Sequence, residues 1–311
     1  MTIKLGKLEI ESAFVLAPIA GYTDSPYRQI ARKHGAGFTV TELVSAEGIV
    51  RNNKKTMDLL KFSEEERPFG IQIFGRKPDV MAEAARIVER LAPDFIDLNM
   101  GCPARKVCKD GDGAGAALLR NPSLIEEIAG RVVESVKLPV SAKIRTGWDF
   151  TSKNFPDVIK ALERARISFI TIHGRTKSQG YSGEANWDDI AKAASIASVP
   201  VIGNGDIQSH DEALKRLETT ECSAIMIGRA ACANPWIFGA HVPERGELIA
   251  QIKEHLDRNI SFYGDWGLVL MRKHIVAYIR SIYKAATYRT QLCTAPDRAS
   301  VLKILDVIEK A

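Results

Sequence analysis

The 311-residue sequence contains little cysteine and arranges none of it in pairs. Its five cysteines, at positions 102, 108, 222, 232 and 293, are scattered and include no Cys-x-x-Cys spacing. This pattern excludes a zinc-ribbon type of site and a disulfide framework, so reduced thiols are expected. No set of three metal ligands gathers at the ends of the predicted strands either, and we expect no metal.

Long apolar runs are also missing. Residues 1–10, MTIKLGKLEI, lack the apolar core of a signal peptide, and no stretch approaches the roughly 18 apolar residues that cross a bilayer. We therefore expect a cytoplasmic protein without membrane contact. Repeats and low-complexity segments are absent, and 45% hydrophobic with 26% charged residues exclude disordered and fibrous classes. The net charge of +5 permits a polyanionic partner without requiring one.

Short apolar, β-branched runs alternate with helix-like segments along most of the chain. The predicted strands are residues 14–17, 38–41, 69–74, 95–98, 140–144, 169–172, 199–202 and 224–227. Between them, residues 80–91, 124–136 and 189–197 have helical periodicity. Strands that are apolar on both faces and alternate with helices predict an α/β fold, a parallel (β/α)8 TIM barrel. A doubly wound sheet is the alternative.

The pattern changes after Phe238, because residues 243–246 form a linker and only helical periodicity follows. We therefore divide the chain into a catalytic barrel, residues 1–242, and a small all-helical C-terminal domain, residues 246–311. Between Gln251 and Thr290 this second part carries seven Lys or Arg against three acids, interleaved with tyrosines. Cations beside aromatics are typical of RNA-binding surfaces, although a charged helix face is more often simply solvated.

The residues that follow the predicted strands are candidates for a pocket, because barrel active sites collect at the carboxyl ends of the strands. In chain order they are Pro18, Glu42, Gln72, Asn99 with Cys102, Lys143 with Arg145, His173 with Arg175, Asn204-Gly205-Asp206, and Gly228-Arg229. Eight such strand ends in one chain favour a lined pocket over chance.

Cys102 is the strongest single candidate. It follows the strand 95–98 within the segment Asn99 to Pro103, where Gly101 and Pro103 shape the backbone on either side of the thiol. Free cysteine usually packs as a small hydrophobe. The polar, turn-rich surroundings here favour an exposed thiol that meets a substrate.

The last two strand ends favour a phosphate-bearing cofactor. Residues 203–206, GNGD, and the Gly228-Arg229 pair place glycines and a cation where barrels often hold phosphate, although either segment alone would also fit a tight turn. Lys143 emerges from a buried-type strand, where its ammonium would stabilise a reduced flavin, and Gln72 would hydrogen-bond the polar edge of the ring. His173 fits a structural role equally well.

The segment after His173 is a candidate for contact with nucleic acid. Arg175 and the loop 177–187, KSQGYSGEANW, supply cations and aromatic rings. The same loop would also be explained as a connection without a partner.

Taken together, seven segments in order resemble the FMN-dependent tRNA-dihydrouridine synthases, specifically the bacterial B-type branch. They are LAPIAGYTD (16–24), IQIFG (71–75), IDLNMGCPARKV (96–107), SAKIRTGW (141–148), TIHGRTKSQGYSG (171–183), VIGNGDI (201–207) and MIGRAACANPWIF (226–238). The resemblance covers nearly the whole chain.

The resemblance implies an oxidoreductase in which NADPH reduces FMN, a hydride passes from flavin N5 to C6 of a tRNA uracil, and Cys102 protonates C5. Cys102 is then a neutral acid, so its pKa should not be depressed as in a nucleophile. The implied FMN-binding residues are Pro18, Ile19, Ala20, Gln72, Lys143, His173, Asn204, Gly205, Asp206, Gly228 and Arg229. The resemblance also implies that Asn99 holds the target uracil. From the cations of the loop after His173 and of the C-terminal helices, we assign Arg175, Arg272, Lys273 and Arg280 to tRNA binding. We expect a monomer.

One segment departs from the family pattern. Residues 108–113, beside Cys102, are about two residues longer than the resemblance leads us to expect, and Cys108 is interpreted as incidental. Two other functions are weighed against the leading one: an FMN-dependent dehydrogenase acting on free pyrimidines, and an RNA-binding barrel that keeps the flavin only as structure.

Overall fold

A computed structural model of the chain describes residues 2–310, and its strands form a parallel barrel. The strands are β1 (Ile3–Leu5), β2 (Leu8–Ile10), β3 (Phe14–Leu16), β4 (Thr39–Val40), β5 (Val44–Ser45), β6 (Phe69–Phe74), β7 (Phe95–Met100), β8 (Val140–Arg145), β9 (Phe169–His173), β10 (Val201–Asn204) and β11 (Ala224–Ile227). Every predicted strand has a counterpart here.

The barrel closes between β3 and β4. The order β3-β11-β10-β9-β8-β7-β6-β4 runs through parallel pairs, and short β5 adds to the far end of β6. Backbone hydrogen bonds from Gly37 N to Phe14 O (2.8 Å) and from Leu16 N to Phe38 O (3.2 Å) join the two ends. The predicted TIM barrel is confirmed, and the doubly wound alternative is excluded.

Helices cover the outside of the barrel and make up the C-terminal part of the chain. They are α1 (Ser25–Lys33), α2 (Ala46–Val50), α3 (Lys54–Asp58), α4 (Pro78–Glu89), α5 (Arg105–Cys108), α6 (Pro122–Ser135), α7 (Phe155–Arg164), α8 (Trp187–Ile196), α9 (His210–Thr219), α10 (Arg229–Ala233), α11 (Arg245–Tyr263), α12 (Trp266–Tyr278), α13 (Ala285–Thr294) and α14 (Arg298–Lys310). The three predicted helices correspond to α4, α6 and α8.

The amino-end half of the barrel interior is apolar and filled. Phe38, Phe95 and Phe169 meet with ring centroids 5.1 to 6.0 Å apart. A Cβ on Gly70 would lie 2.4 Å from the ring of Phe95, so only glycine leaves room for this ring. The hairpin of β1 and β2 packs against the same cluster through apolar side chains. This end of the barrel is therefore closed.

The carboxyl-end half of the barrel interior is polar, because the inward-facing residues of the strands change from apolar to polar along the chain. In β7 the inward series that begins at Phe95 continues with Asp97 and Asn99, since side chains two residues apart share a face. In β8 the matching series is Ser141, Lys143 and Arg145, paired in register with β7. The sequence thus builds an apolar floor and a polar mouth from the same strands.

Helices α11 to α14 form their own apolar cluster. Its members include Ile252, Leu256, Ile275 and Leu305, all fully buried. A capping box between Glu244 and Glu247 begins α11, close to the predicted linker. The helical C-terminal region is confirmed as part of the fold class. Within residues 2–310 we find no helix whose length and apolar content would carry it across a membrane.

Candidate active site

A cavity of about 720 Å³ opens at the carboxyl ends of the barrel strands. The residues singled out from the sequence that line it are Pro18, Ile19, Ala20, Gln72, Asn99, Cys102, Lys143, Arg145, His173, Asn204, Gly205, Asp206, Gly228 and Arg229. Those that do not line it are Glu42, Arg175, Arg272, Lys273 and Arg280. Seven of the eight predicted strand ends therefore converge on the cavity, and the end that carries Glu42 does not, because the Glu42 carboxylate accepts the N–H of Gly21 instead.

A chain of hydrogen bonds fixes the amides at the bottom of the cavity. Gln72 Nε2 donates to Asp97 Oδ2 (2.6 Å), and Asn99 Nδ2 donates to Gln72 Oε1 (2.7 Å). Ser141 Oγ donates to the other oxygen of Asp97 at 2.6 Å. Burial raises the pKa of Asp97, opposed by the hydrogen bonds from Ser141 and Gln72. Asp97 holds Gln72 in one orientation, and the sequence interpretation had not assigned it a role.

Lys143 is the cation inside the mouth. Its Nζ donates to Asn204 Oδ1 at 2.8 Å, and Asn204 Nδ2 donates to the carbonyl of Met226 at 2.8 Å. Burial, helped by the charge of Arg145, lowers the pKa of Lys143 to about 7. An anion bound beside the ammonium would favour its charged form, so Lys143 is suited to a negatively charged ring edge.

His173 lies among these cations and is neutral. Burial, followed by the charges of Lys143 and Arg145, lowers its pKa well below the ordinary range. Its Nε2 is 3.3 Å from the guanidinium of Arg175. A neutral imidazole in this place can accept or donate a hydrogen bond without adding charge.

Asp206 joins two arginines at the rim. Arg175 donates to both its carboxylate oxygens (2.8 and 2.6 Å), and Arg229 donates to Oδ1 at 2.8 Å. Burial alone would raise the pKa of Asp206, but the hydrogen bonds from Arg175 and Ala185 N lower it. Arg175 is only 2% exposed, so its place is beneath the rim, where it also donates to the carbonyl of Ser182 (3.2 Å).

Cys102 lies on the loop after β7 and faces the same cavity. Burial is the main cause that raises the pKa of its thiol, opposed by the Ala104 N–H and the charge of Arg145. Its backbone N–H donates to Asn99 Oδ1 at 3.0 Å. In the part of the chain that the structure describes, no side-chain base is hydrogen-bonded to the thiol, which is therefore an acid that keeps its proton at neutral pH.

The loop 108–116, predicted from the sequence to be longer than the family pattern, folds back onto Cys102. Ala116 N donates to the Cys102 carbonyl at 3.0 Å, and the buried Cys108 thiol donates to the same oxygen at 3.1 Å. Gly115, with φ +61°, lies so close that a Cβ would be 2.8 Å from that carbonyl. Lys109 and Asp110 take left-handed backbone conformations within this loop. Cys108 is thus part of the support of Cys102.

Two further side chains at the mouth, Arg145 and Tyr181, were noted in the sequence but were not assigned a role of their own. Arg145 donates to the carbonyls of Gly101, Thr176 and Gly180, each at 2.8 Å, and so ties the Cys102 loop to the loop after β9. Tyr181 is 63% exposed, and the guanidinium carbons of Arg145 and Arg229 each lie 5.7 Å from its ring centroid. The sequence signal for Arg145 is its position two residues after Lys143, on the same strand face.

The three cations predicted on the C-terminal helices lie outside the cavity. Arg280 is exposed in the turn that follows α12, while Arg272 is half-buried and donates to the carbonyl of Ala295 at 3.4 Å. The Nζ of Lys273 lies 5.4 Å from the ring centroid of Tyr22, which belongs to the loop after β3. Lys273 therefore joins the helices to the rim of the barrel.

The size of the mouth and the side chains that line it fit a flavin. Pockets for organic cofactors are mostly apolar, measure roughly 300–1,000 Å³ and contain a few placed polar groups. Here Ala17, Ile19 and Met226 supply apolar walls, while Lys143 and Gln72 present a cation and an amide to one side. Gly228 and Arg229 supply a backbone and a guanidinium for a phosphate on the other side.

Comparison with known proteins gives a family match over nearly the whole chain. A family model described as Dihydrouridine synthase (Dus) matches residues 15–311. A protein of Pseudomonas aeruginosa named tRNA-dihydrouridine synthase B is 40% identical over 301 residues, 93% of this chain and 90% of the relative. The protein of the same name from Pasteurella multocida is 38% identical over 299 residues, 92% of this chain and 90% of the relative.

Solved structures with the same fold share little sequence with this chain. A 2-naphthoyl-CoA reductase complex matches with a TM-score of 0.59 at 13% identity, covering 76% of this chain and 50% of that one. Histamine dehydrogenase from Rhizobium sp. 4-9 matches with the same TM-score and identity, covering 83% of this chain and 50% of the other. At this identity the likeness concerns the barrel fold alone.

Proposed function

The chain belongs to the dihydrouridine synthase family, and from that premise we propose that its barrel mouth reduces the C5–C6 double bond of uridines in tRNA. The enzyme is a flavin-dependent oxidoreductase. We propose further that the flavin is FMN and the reductant NADPH. The observation that carries this mechanism is the position of Cys102, a proton-bearing thiol on the same cavity that the flavin-binding candidates line.

FMN, when bound and reduced by NADPH, supplies a hydride to C6 of the uracil. The residues that would hold it are the apolar and polar groups of the mouth, with Lys143 and Gln72 beside the polar edge of the ring. Lys143 stabilises negative charge there because its ammonium is fixed by Asn204 at 2.8 Å. His173 stays neutral and contributes a hydrogen bond.

Cys102 delivers the proton. Its pKa is raised, mainly by burial, so the thiol carries the proton that C5 must receive and does not act as a nucleophile. The bonds that its backbone makes to Asn99, Ala116 and Cys108 keep the thiol in one place. Asn99 is therefore assigned a double role, in positioning Cys102 and in meeting the uracil.

The rim and the helical region would receive the RNA. Tyr181 is exposed and offers a flat face on which a base could stack. Arg229, whose guanidinium carbon lies 5.7 Å from the Tyr181 ring centroid, offers an exposed cation for a phosphate, whereas Arg145 is buried against backbone carbonyls. On the C-terminal helices we propose Arg272, Lys273 and Arg280 as contacts with the tRNA backbone. Arg175, which is buried against Asp206, is better placed to hold the rim than to touch RNA.

A Cys102→Ala variant tests this assignment. The variant should bind FMN and oxidise NADPH in an oxidase assay, yet form dihydrouridine at least about 10²-fold more slowly on tRNA from cells that lack the enzyme. Cys293→Ala, which removes a thiol from α13, is the matched control and should be unaffected. Full activity of Cys102→Ala would remove the thiol from the mechanism, and turnover of free uracil by the natural chain would favour a pyrimidine dehydrogenase instead.

A further inference from the structure

Three potential metal ligands meet between the barrel and the C-terminal helices. Asp24 begins α1 as its N-cap, His255 lies in the middle of α11, and His274 lies on α12. One oxygen or nitrogen from each lies within 4.8 Å of the others. The cluster is separate from the residues that line the barrel mouth.

Three of the four imidazole nitrogens in this cluster lack a partner within residues 2–310. His274 is fully buried, and neither of its ring nitrogens makes a hydrogen bond. His255 is also fully buried, and its Nε2 has no partner. Buried polar atoms are nearly always satisfied, so unpaired nitrogens on two neighbouring imidazoles indicate a missing ligand. One metal ion would bond His255 Nε2 and one nitrogen of His274.

Aromatic neighbours hold the two imidazole rings in place. Tyr27 stacks on His274 with centroids 5.4 Å apart and planes inclined by 13°, and Tyr22 meets its edge at 5.5 Å. The His255 Nδ1 is 3.1 Å from the Tyr278 hydroxyl, which leaves Nε2 as the free nitrogen. Metal-binding histidines are commonly fixed as His255 is, with one nitrogen hydrogen-bonded and the other on the metal, whereas His274 is held by ring packing alone.

The charges around the cluster favour a cation with neutral imidazoles. Burial lowers the pKa of His274 to about 3 and that of His255 well below the ordinary range, so both keep a lone pair at neutral pH. Burial raises the pKa of Asp24 and Glu42, and the charge of Asp24 contributes at Glu42. Lys273 offsets part of this negative charge but stays over the Tyr22 ring.

We propose that Asp24, His255 and His274 bind one first-row transition-metal dication, Zn²⁺ by preference. Two imidazoles and one carboxylate suit Zn²⁺, whereas Mg²⁺ and Ca²⁺ take oxygen ligands. Ligand atoms around a tetrahedral zinc are roughly 3.3 Å apart, so small side-chain movements would close the site and leave a fourth position for water. This departs from our expectation of no metal.

The metal would act as a structural tie. Asp24 belongs to the barrel, while both histidines belong to the C-terminal helices, so one ion would join the catalytic part of the chain to the part proposed to dock tRNA. Its sequence signal is weak because the ligands are far apart along the chain and the two histidines lie on different helices. The proposal does not depend on the reduction chemistry at the barrel mouth.

Metal titration of the flavin-loaded, full-length chain tests the proposal. After dialysis against a chelator, we expect one Co²⁺ per chain with the visible absorption of tetrahedral cobalt, displaced by Zn²⁺. Zn²⁺ should also raise Tm by a few degrees. The readouts are metal content, spectrum and Tm, so a failure here would be distinguishable from a failure of dihydrouridine synthesis.

Asp24→Asn is the sharpest variant, because asparagine is also a good N-cap and can keep the hydrogen bond from Tyr27 N. It should weaken Co²⁺ binding at least tenfold. The matched control is His241→Asn, which removes an exposed histidine outside the cluster and should bind as the natural chain does. Equal binding by the two variants, or no stoichiometric Co²⁺ in the natural chain, would overturn the site.

X-ray absorption of the Zn²⁺-loaded natural chain provides a second measurement that needs no variant. We expect a shell of two imidazole nitrogens with oxygen ligands. Sulfur in that shell would place the ion on cysteine and overturn the proposal, even if Asp24→Asn failed to fold.

Discussion

Polar side chains are buried both in the barrel mouth and between the barrel and the C-terminal helices. The two regions differ in how completely these side chains are hydrogen-bonded. In the mouth, Gln72, Asp97, Asn99 and Ser141 satisfy one another through bonds of 2.6 and 2.7 Å. Over residues 2–310, nine buried side-chain atoms lack a partner, and six of them belong to α11 and α12. None belongs to a residue that lines the mouth.

The difference shows how each region relates to an outside partner. In the mouth, the protein orients its own polar groups before a cofactor arrives, which is the arrangement that favours catalysis because no reorganisation is needed during the reaction. On α11 and α12, six buried polar atoms have no hydrogen-bond partner among the described residues, so a bound ligand could still supply one. Four variants and conditions would break or sharpen this contrast, beginning with the largest expected effect.

Replacing the buried cation of the mouth should have the largest effect. Lys143→Met removes the ammonium beside the proposed flavin edge, and we expect dihydrouridine formation to fall by about 10²–10³-fold. The rate on unmodified tRNA and the flavin content measured by absorbance give the result. Lys160→Met, on the exposed face of α7, is the control. An unchanged rate would mean that Lys143 only packs against Asn204.

Breaking the hydrogen bonds among Gln72, Asp97 and Ser141 should lower the free energy of unfolding. Asp97→Asn keeps the shape but replaces an acceptor by an amide group that faces donors from Gln72 and Ser141. We expect the free energy of unfolding to fall by about 2 kcal/mol in urea denaturation at pH 7. Asp112→Asn changes a carboxyl whose side chain is 93% exposed and should leave stability within experimental error. A loss of the same size there would contradict the role of the network.

The pH dependence of the flavin-free chain should report Lys143. Its folded pKa of about 7 lies below the ordinary value of 10.5, so between these values the unfolded chain binds a proton that the folded chain has released. The free energy of unfolding should therefore rise with pH across this window, by at most about 1.4 kcal/mol per pH unit. Lys143→Met should flatten this part of the profile; an unaltered slope would assign it to other groups.

The smallest change in stability should come from replacing a buried polar side chain of α11 that is not fully hydrogen-bonded. Asn259 is fully buried on α11, and its Oδ1 is among the atoms without a partner. Asn259→Leu exchanges it for an apolar side chain of similar size, so we expect the free energy of unfolding to change by less than about 1 kcal/mol in either direction. Urea denaturation beside Asp97→Asn measures the contrast. A loss larger than that of Asp97→Asn would reverse the comparison.

The sequence predicts the architecture well because it depends on repeated local patterns. The strands β6, β8 and β11 begin where their apolar runs begin, and the alternation of inward residues in β7 and β8 follows from the pleat. Boundaries are less well predicted: the run 199–202 becomes β10 at Val201–Asn204, since strand pairing with β9 fixes its limits.

The candidate site was predicted less completely, because three of its features depend on distant pairing. The sequence indicates no special role for Asp97, because its function depends on hydrogen bonds from Gln72 and Ser141 on neighbouring strands. Arg175 looks free for RNA until Asp206 is placed beside it. The loop after Cys102 is predicted from the sequence to be longer than the family pattern, but its hydrogen bonds to the Cys102 carbonyl depend on the folded backbone.

The ring of Phe95 over Gly70, together with Phe38 and Phe169, leaves no passage through the lower half of the barrel. A molecule that reacts with a flavin bound in the mouth must therefore enter through the opening at the carboxyl ends of the strands. If NADPH is the reductant, as proposed above, its nicotinamide and the uracil of the tRNA would both enter from the carboxyl ends of the strands, and reduction of the flavin and reduction of the uracil would be separate, successive steps. The phenylalanines that close the lower half of the barrel would then restrict access to the cofactor although they are far from any reacting atom.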